Sequence, residues 1–118
     1  MKAILIDVRN KTISLVEVDN KRVLEDWYEL MGCQMVEVAH YFNNHDSILV
    51  DEEGLLSLSG DTKFFTIKGG HQPFAGNGLV VGVNNRGESV SPNISVEEVQ
   101  KMVKFHTLRE VQMMTDLG

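Results

Sequence analysis

The sequence predicts an α+β domain: an antiparallel sheet built from hairpins, opening ββα, with two helices, the second of them C-terminal. Three observations carry this. A turn signature recurs between apolar segments. Two segments show a helical apolar stripe. The strands lack the regular βα alternation that a doubly wound sheet requires.

The turn signature opens with Asp or Asn and ends, after two other residues, with Gly or Asn. It occurs as Asp7-Val8-Arg9-Asn10, Asp51-Glu52-Glu53-Gly54 and Asn84-Asn85-Arg86-Gly87. An Asp or Asn side chain caps such a turn, and the last position tolerates φ > 0. A type I turn closed by a left-handed residue is a common hairpin connection. Three hairpins follow: about Lys2–Asp7 with Thr12–Val18, Ile48–Asp51 with Leu55–Ser59, and Leu79–Val83 with Glu88–Ser91. Met35–Phe42 and Phe64–Lys68 are two further strands.

The first helix is expected over Lys21–Met31. Val23, Leu24, Trp27, Leu30 and Met31 form one apolar face, and Arg22, Glu25, Asp26 and Glu29 form the other. Asn20 caps its start and Gly32 ends it. The second helix begins at Ser95, where Ser95-Val96-Glu97-Glu98 is a capping box preceded by Pro92. Val96, Val99 and Val103 form its inner stripe. Thr107-Leu108-Arg109-Glu110 repeats the capping-box form, and Leu108 falls off the earlier stripe. A break or bend is expected there. Residues 107–118 read as an extension or a dimer-contact tail of a single domain spanning 1–118.

With 118 residues, 42% hydrophobic and 24% charged, the chain matches an ordinary soluble domain with its own core. Cys33 is the one cysteine, which suits a reducing cytoplasm. The opening MKAILIDV is too short an apolar run for a signal peptide, and no segment approaches a membrane span. The net charge of −6, with no basic run beyond Lys21-Arg22, argues against nucleic acid.

The segment GGHQPFAGNGLVVG, Gly69 to Gly82, holds five of the ten glycines around one His, one Pro and one Phe. Glycine at this density permits tight turns and close approach of a partner to the backbone. The candidate binding residues are His71, Gln72, Phe74, Gly76, Asn77 and Gly78. His71 and Gln72 offer hydrogen bonds, and Phe74 offers a flat apolar face. The plainer reading is a connection with Phe74 as an apolar plug.

Other constellations are weak. His40, His45, Asp46, Asp51 and His71 lack the spacing of a metal motif, so no metal and no cofactor is expected. Cys33 follows Gly32 at a helix C-terminus, where the dipole disfavours a thiolate. Gly76-Asn77-Gly78 leads into a strand, whereas a dinucleotide fingerprint leads into a helix. Asp51, Glu52 and Glu53 splay from a turn and do not face one bond. No residue is assigned a catalytic role.

MKAILIDV, Met31-Gly32-Cys33, VDEEGLL, PFAGNGLVVG and the SPNISVEEV helix start together resemble a family of small domains of unknown function that recurs in phage, prophage and plasmid genomes. The resemblance runs from Met1 to about Phe105. It implies an accessory protein in a bacterial cytoplasm that binds a host protein or sequesters a small nucleotide. The reading leans away from an enzyme and toward a non-catalytic binding module. One alternative is a nucleotide sponge using the Gly69–Gly78 loop. Another is a small hydrolase using His71 with a carboxylate. A homodimer is expected from the apolar positions Leu108, Val111, Met114 and Leu117.

Overall fold

A computed structural model describes residues 1–19, 23–31, 36–42, 45–51, 58–70 and 72–116. The strands and helices run in the order β1 (Lys2–Asp7), β2 (Thr12–Glu17), α1 (Val23–Met31), β3 (Val36–Tyr41), β4 (Ser47–Asp51), β5 (Lys63–Ile67), β6 (Phe74–Ala75), β7 (Gly78–Val83), β8 (Ser89–Val90), α2 (Val96–Met102), β9 (Val103–Thr107) and α3 (Leu108–Asp116). The larger sheet has the order β2-β1-β7-β4-β3, with β8 also paired to β7; the smaller has the order β6-β5-β9. Every pairing is antiparallel.

Two of the three expected hairpins form. In the first, Lys2 stands opposite Glu17 and Asp7 opposite Thr12. Asp7 builds the turn itself: its Oδ1 accepts from the Arg9 and Asn10 amides, both at 3.1 Å, and its Oδ2 accepts from Asn10 Nδ2 at 2.9 Å. The left-handed residue is Lys11 (φ 55), one position beyond the Asn10 that the signature assigns. In the other hairpin, Asn84 Oδ1 accepts from the Arg86 and Glu88 amides, and Gly87 takes φ 78.

The hairpin expected between Ile48–Asp51 and Leu55–Ser59 does not form as drawn. Both edges of β4 are already taken, by β3 (Val36 opposite Asp51) and by β7 (Ile48 opposite Val80). Leu58 and Ser59 lie outside any strand, and 52–57 fall outside the described residues.

Strand alternation divides the core in two. Ile4, Ile6, Ile48, Val50 and Val80 face Phe65, Ile67 and Phe74 of the smaller sheet, together with Ile94, Val99 and Val103. Their sequence neighbours Ala3, Leu49, Leu79 and Val81 face the opposite way, toward Val18 and Trp27 of α1. β1, β4 and β7 are therefore buried on both faces, which is why ILI, ILV and LVV read as unbroken apolar runs. Each such Ile, Leu or Val contributes about 1.5–3 kcal/mol by leaving water.

The C-terminal third departs from the expected single helix. The Ser95 capping box is present, with Ser95 Oγ accepting from the Glu98 amide and Glu98 Oε1 accepting from the Ser95 amide. The helix stops at Met102, however, and Val103 adopts extended angles. Val103, Phe105 and Thr107 alternate with polar residues and complete the edge of β5, with Ile67 opposite Val103 and Lys63 opposite Thr107. The valines at 96, 99 and 103 satisfied a helical period, but pairing with β5 overrides it. Thr107 and Glu110 then form a second reciprocal cap, which starts α3. The helices number three among the described residues, the last of them C-terminal. None is long and apolar enough to cross a membrane.

Candidate functional site

The glycine-rich stretch passes from the smaller sheet to the larger. Gly69 (φ 88) and Gly70, whose amide donates to the Ile67 carbonyl at 2.9 Å, reverse the chain after β5. His71 lies outside the described residues, and Gln72 is exposed. Phe74 is buried opposite Phe65, the two ring centroids 5.4 Å apart, so it fills the core. Gly76 takes φ 84 and donates to the Lys63 carbonyl at 2.9 Å. Gly78 lies directly beneath the Phe65 ring: a Cβ there would come within 2.7 Å of Cζ. Close approach of the two sheets therefore demands Gly78, a structural use of glycine density.

Asn77 ties this stretch to the first hairpin. Its Oδ1 accepts from the Val8 amide at 3.0 Å. Beside that bond opens a cleft of about 420 Å³ lined by residues 7–10 of the first turn, Glu29, residues 61–63, Gly76 and Asn77. Of the six candidate residues, Gly76 and Asn77 border the cleft; Gln72, Phe74 and Gly78 do not, and His71 is outside the described residues.

The cleft is polar. The Asp7 carboxylate is engaged by its own turn amides. Arg9 and Lys63 line the cleft with no carboxylate of the described residues within ion-pair distance. Because Asn77 Oδ1 is held by Val8, its Nδ2 remains as a positioned donor. Two cations and an oriented amide can engage an anionic or carbonyl-bearing group, and Glu29 and Asp61 of the same lining can engage a cation. Sequence reading missed Arg9 and Lys63. Their only signal was the place of Arg9 inside the first turn.

The other constellations have structural uses. Asp46 is fully buried, and its carboxylate accepts from the Asn93 amide at 2.8 Å and the Ile94 amide at 2.7 Å. It therefore fixes the segment leading into α2. The His40 ring packs edge-on against Phe42, with centroids 5.0 Å apart, and His45 is exposed with φ 71. Among the described residues no group of three His, Cys, Asp or Glu side chains converges as a metal site. Asp51 ends β4, whereas Cys33, Glu52 and Glu53 lie outside the described residues.

One cluster had no counterpart in the sequence reading. Thr66 Oγ1 lies 2.9 Å from His106 Nε2, and His106 Nδ1 lies 3.9 Å from Glu110 Oε2. The order hydroxyl, imidazole, carboxylate has the form of a nucleophile relay. Its second link is longer than a hydrogen bond, and Glu110 Oε1 already accepts from the Thr107 amide at 3.0 Å. That amide bond first, and then the Thr107 hydroxyl, hold Glu110 below the usual carboxylate range. Glu110 serves with Thr107 as the cap of α3.

The chain belongs to the family described as a domain of unknown function, DUF3846, whose model matches residues 1–104. It is also similar to uncharacterized protein y4iR of Sinorhizobium fredii, at 28% identity over 109 residues, or 92% of this chain. The chain spans 65% of that curated relative's length. No solved structure matches it.

Proposed function

We propose that this chain is a non-catalytic binding module whose recognition surface is the polar cleft between the first hairpin turn, residues 61–63 and Gly76-Asn77. The observation that carries the reading is the pair of cations, Arg9 and Lys63, beside the fixed amide of Asn77. Rigid elements hold all three: a side-chain-capped turn, the start of β5 and a residue bonded to Val8. The occupant of the primary reading is a loop of a host protein that presents carboxylate or carbonyl groups. The setting is a mobile genetic element in a bacterial cytoplasm, supported by the likeness of the short motifs from MKAILIDV to SPNISVEEV. Of the glycine-rich stretch, Gly76 and Asn77 contribute to this surface.

The test is capture of a partner by the intact chain against a variant carrying Arg9→Ala, Lys63→Ala and Asn77→Ala. The variant should melt within a few degrees of the parent and lose the partner. A variant that folds and still captures the partner defeats the cleft as the surface. The same cations also favour a second reading, a small phosphate-bearing nucleotide held in the cleft. Calorimetric titration with nucleoside mono- and diphosphates separates the two. Saturable heat, lost in the triple variant, selects the nucleotide; absence of heat beside a retained protein partner selects the host loop.

A further inference from the structure

β2 is an edge strand with an open side. Among the described residues its strand neighbour is β1 alone. Its register with β1 is unbroken over six pairs, and TISLVE contains no Pro, no Lys and no bulge. β3, at the opposite edge, shifts register between Val38 and His40. Natural edges are usually blunted by such irregularities or by charge, because an open edge templates pairing. The β3 edge has a bulge; the β2 edge has none, and its one charged side chain, Glu17, stands at its end.

The direction of the free backbone groups follows from one pair. Met1 and Val18 exchange both bonds: Val18 N donates to Met1 O at 2.8 Å and Met1 N donates to Val18 O at 2.9 Å. In an antiparallel ladder bonded and non-bonded pairs alternate. Counting back along the register, Glu17, Leu15 and Ile13 belong to the non-bonded pairs. Their N–H and C=O groups therefore point away from β1. Ile13 and Leu15 stand opposite Ile6 and Ile4, so their side chains share the face that α2 covers. Leu15 is 54% exposed. Each borders a depression beside α2: one of about 300 Å³ bounded by Leu15, Pro92, Ile94 and Val96, the other of about 370 Å³ bounded by Ile13, Gln100, Val103 and Phe105.

We propose that a second copy of this chain pairs here, β2 against β2, across a two-fold axis at Ser14. An axis perpendicular to the sheet keeps each residue opposite one of the same face. The open backbone groups of Ile13 and Leu15 then bond to those of Leu15 and Ile13 in the copy. In this register Ile13 stands opposite Leu15, Thr12 opposite Val16, and Lys11 opposite Glu17, each twice. Apolar meets apolar, and opposite charges meet at both ends of the seam. An axis at Ile13 sets Lys11 against Leu15, and an axis at Leu15 sets Ile13 against Glu17; neither matches. Each copy's Leu15 and Ile13 also reach the other's depressions beside α2. The seam does not use Arg9, Lys63 or Asn77. It also differs from the C-terminal contact expected from sequence: α3 exposes Met113 and Met114, while Leu108 and Val111 are half-buried.

Sedimentation equilibrium of the intact chain at micromolar concentration tests the seam. The expected mass is twice the 13.3 kDa of the chain. Lys11→Glu alone and Glu17→Lys alone should each weaken the dimer about tenfold, because every reversal acts at two symmetric places. The combined variant should return to within about twofold of the parent, since the reversed charges again face each other. Leu15→Lys, at an exposed position, should give a folded monomer. The amides of Ile13 and Leu15 should exchange slowly in the parent and rapidly in Leu15→Lys. A parent that stays monomeric overturns the proposal. So does a dimer indifferent to the single reversals with those two amides exchanging fast, which would place the contact elsewhere.

Discussion

Asp46 is the one charged side chain fully buried among the described residues, and its removal should unlatch the start of α2. Its carboxylate receives the Asn93 amide on both oxygens, at 3.0 and 2.8 Å, and the Ile94 amide at 2.7 Å. Hydrogen bonds to a charged group contribute about 1.5–3 kcal/mol each. In Asp46→Ala the Asn93 amide is near enough to solvent to recruit water, but the Ile94 amide sits in the core beside a residue only 8% exposed. Leaving that donor unmet costs roughly 1–3 kcal/mol, added to the lost bonds. With water replacing the Asn93 bonds, the lost Ile94 bond and its unmet donor together come to about 2.5–6 kcal/mol. Asp46→Asn preserves the volume and one oxygen, enough for Ile94, and should cost roughly half as much. Urea unfolding followed by far-ultraviolet circular dichroism measures both. With m of roughly 1–2 kcal/mol/M, the Ala variant should lower the midpoint by about 1–6 M at unchanged m. Both variants within about 0.5 kcal/mol of the parent, the level of an ordinary surface substitution, would refute the latch.

Gly78→Ala should destabilise by about 1–3 kcal/mol through overpacking against Phe65, whereas Gly60→Ala, where a Cβ meets nothing within 4 Å, should stay within about 0.5 kcal/mol; equal midpoints for the two would contradict the close approach of the sheets. Trp27 is 7% exposed and its indole Nε1 is buried without a hydrogen-bond partner. Trp27→Ala should therefore cost about 3–5 kcal/mol, while Trp27→Phe removes an unmet donor and should cost less than about 1.5 kcal/mol; readily quenched, red-shifted tryptophan fluorescence in the native parent would argue against this burial. Because Glu110 is held below its unfolded value, its contribution is present above the unfolded pKa and disappears as pH falls through the folded one. Glu110→Gln should flatten that acid-side loss in a series of melts, and an unchanged pH profile would contradict the cap. Thr107→Ala should cost about 1 kcal/mol by removing the other half of the same cap.

The local features of the fold were legible and the long-range ones were not. Asp7 and Asn84 announced their hairpins because an Asx-capped turn is built from residues within four positions. Ser95 and Glu98 announced the start of α2 for the same reason. The end of α2 was hidden because Val96, Val99 and Val103 fit a helical period as well as Val103, Phe105 and Thr107 fit a strand, and only the open edge of β5 decides between them. At Asp51 the turn itself lies outside the described residues, while both edges of β4 are taken by β3 and β7, a tertiary fact the signature does not carry. The candidate site was legible to the extent of Gly76 and Asn77. Beyond the place of Arg9 inside the first turn, Arg9 and Lys63 carry no linear signal: they meet because Asn77 bonds Val8 and Gly76 bonds Lys63. Phe74 was legible either as a site residue or as an apolar plug, and its burial opposite Phe65 fits the plug.

The most direct measurement of the binding account is hydrogen–deuterium exchange of the intact chain with and without its captured partner. The account predicts slowed exchange confined to residues 7–10, 61–63 and 76–77, with no change across α3. Protection centred on another surface, with these three segments unaltered, would contradict it.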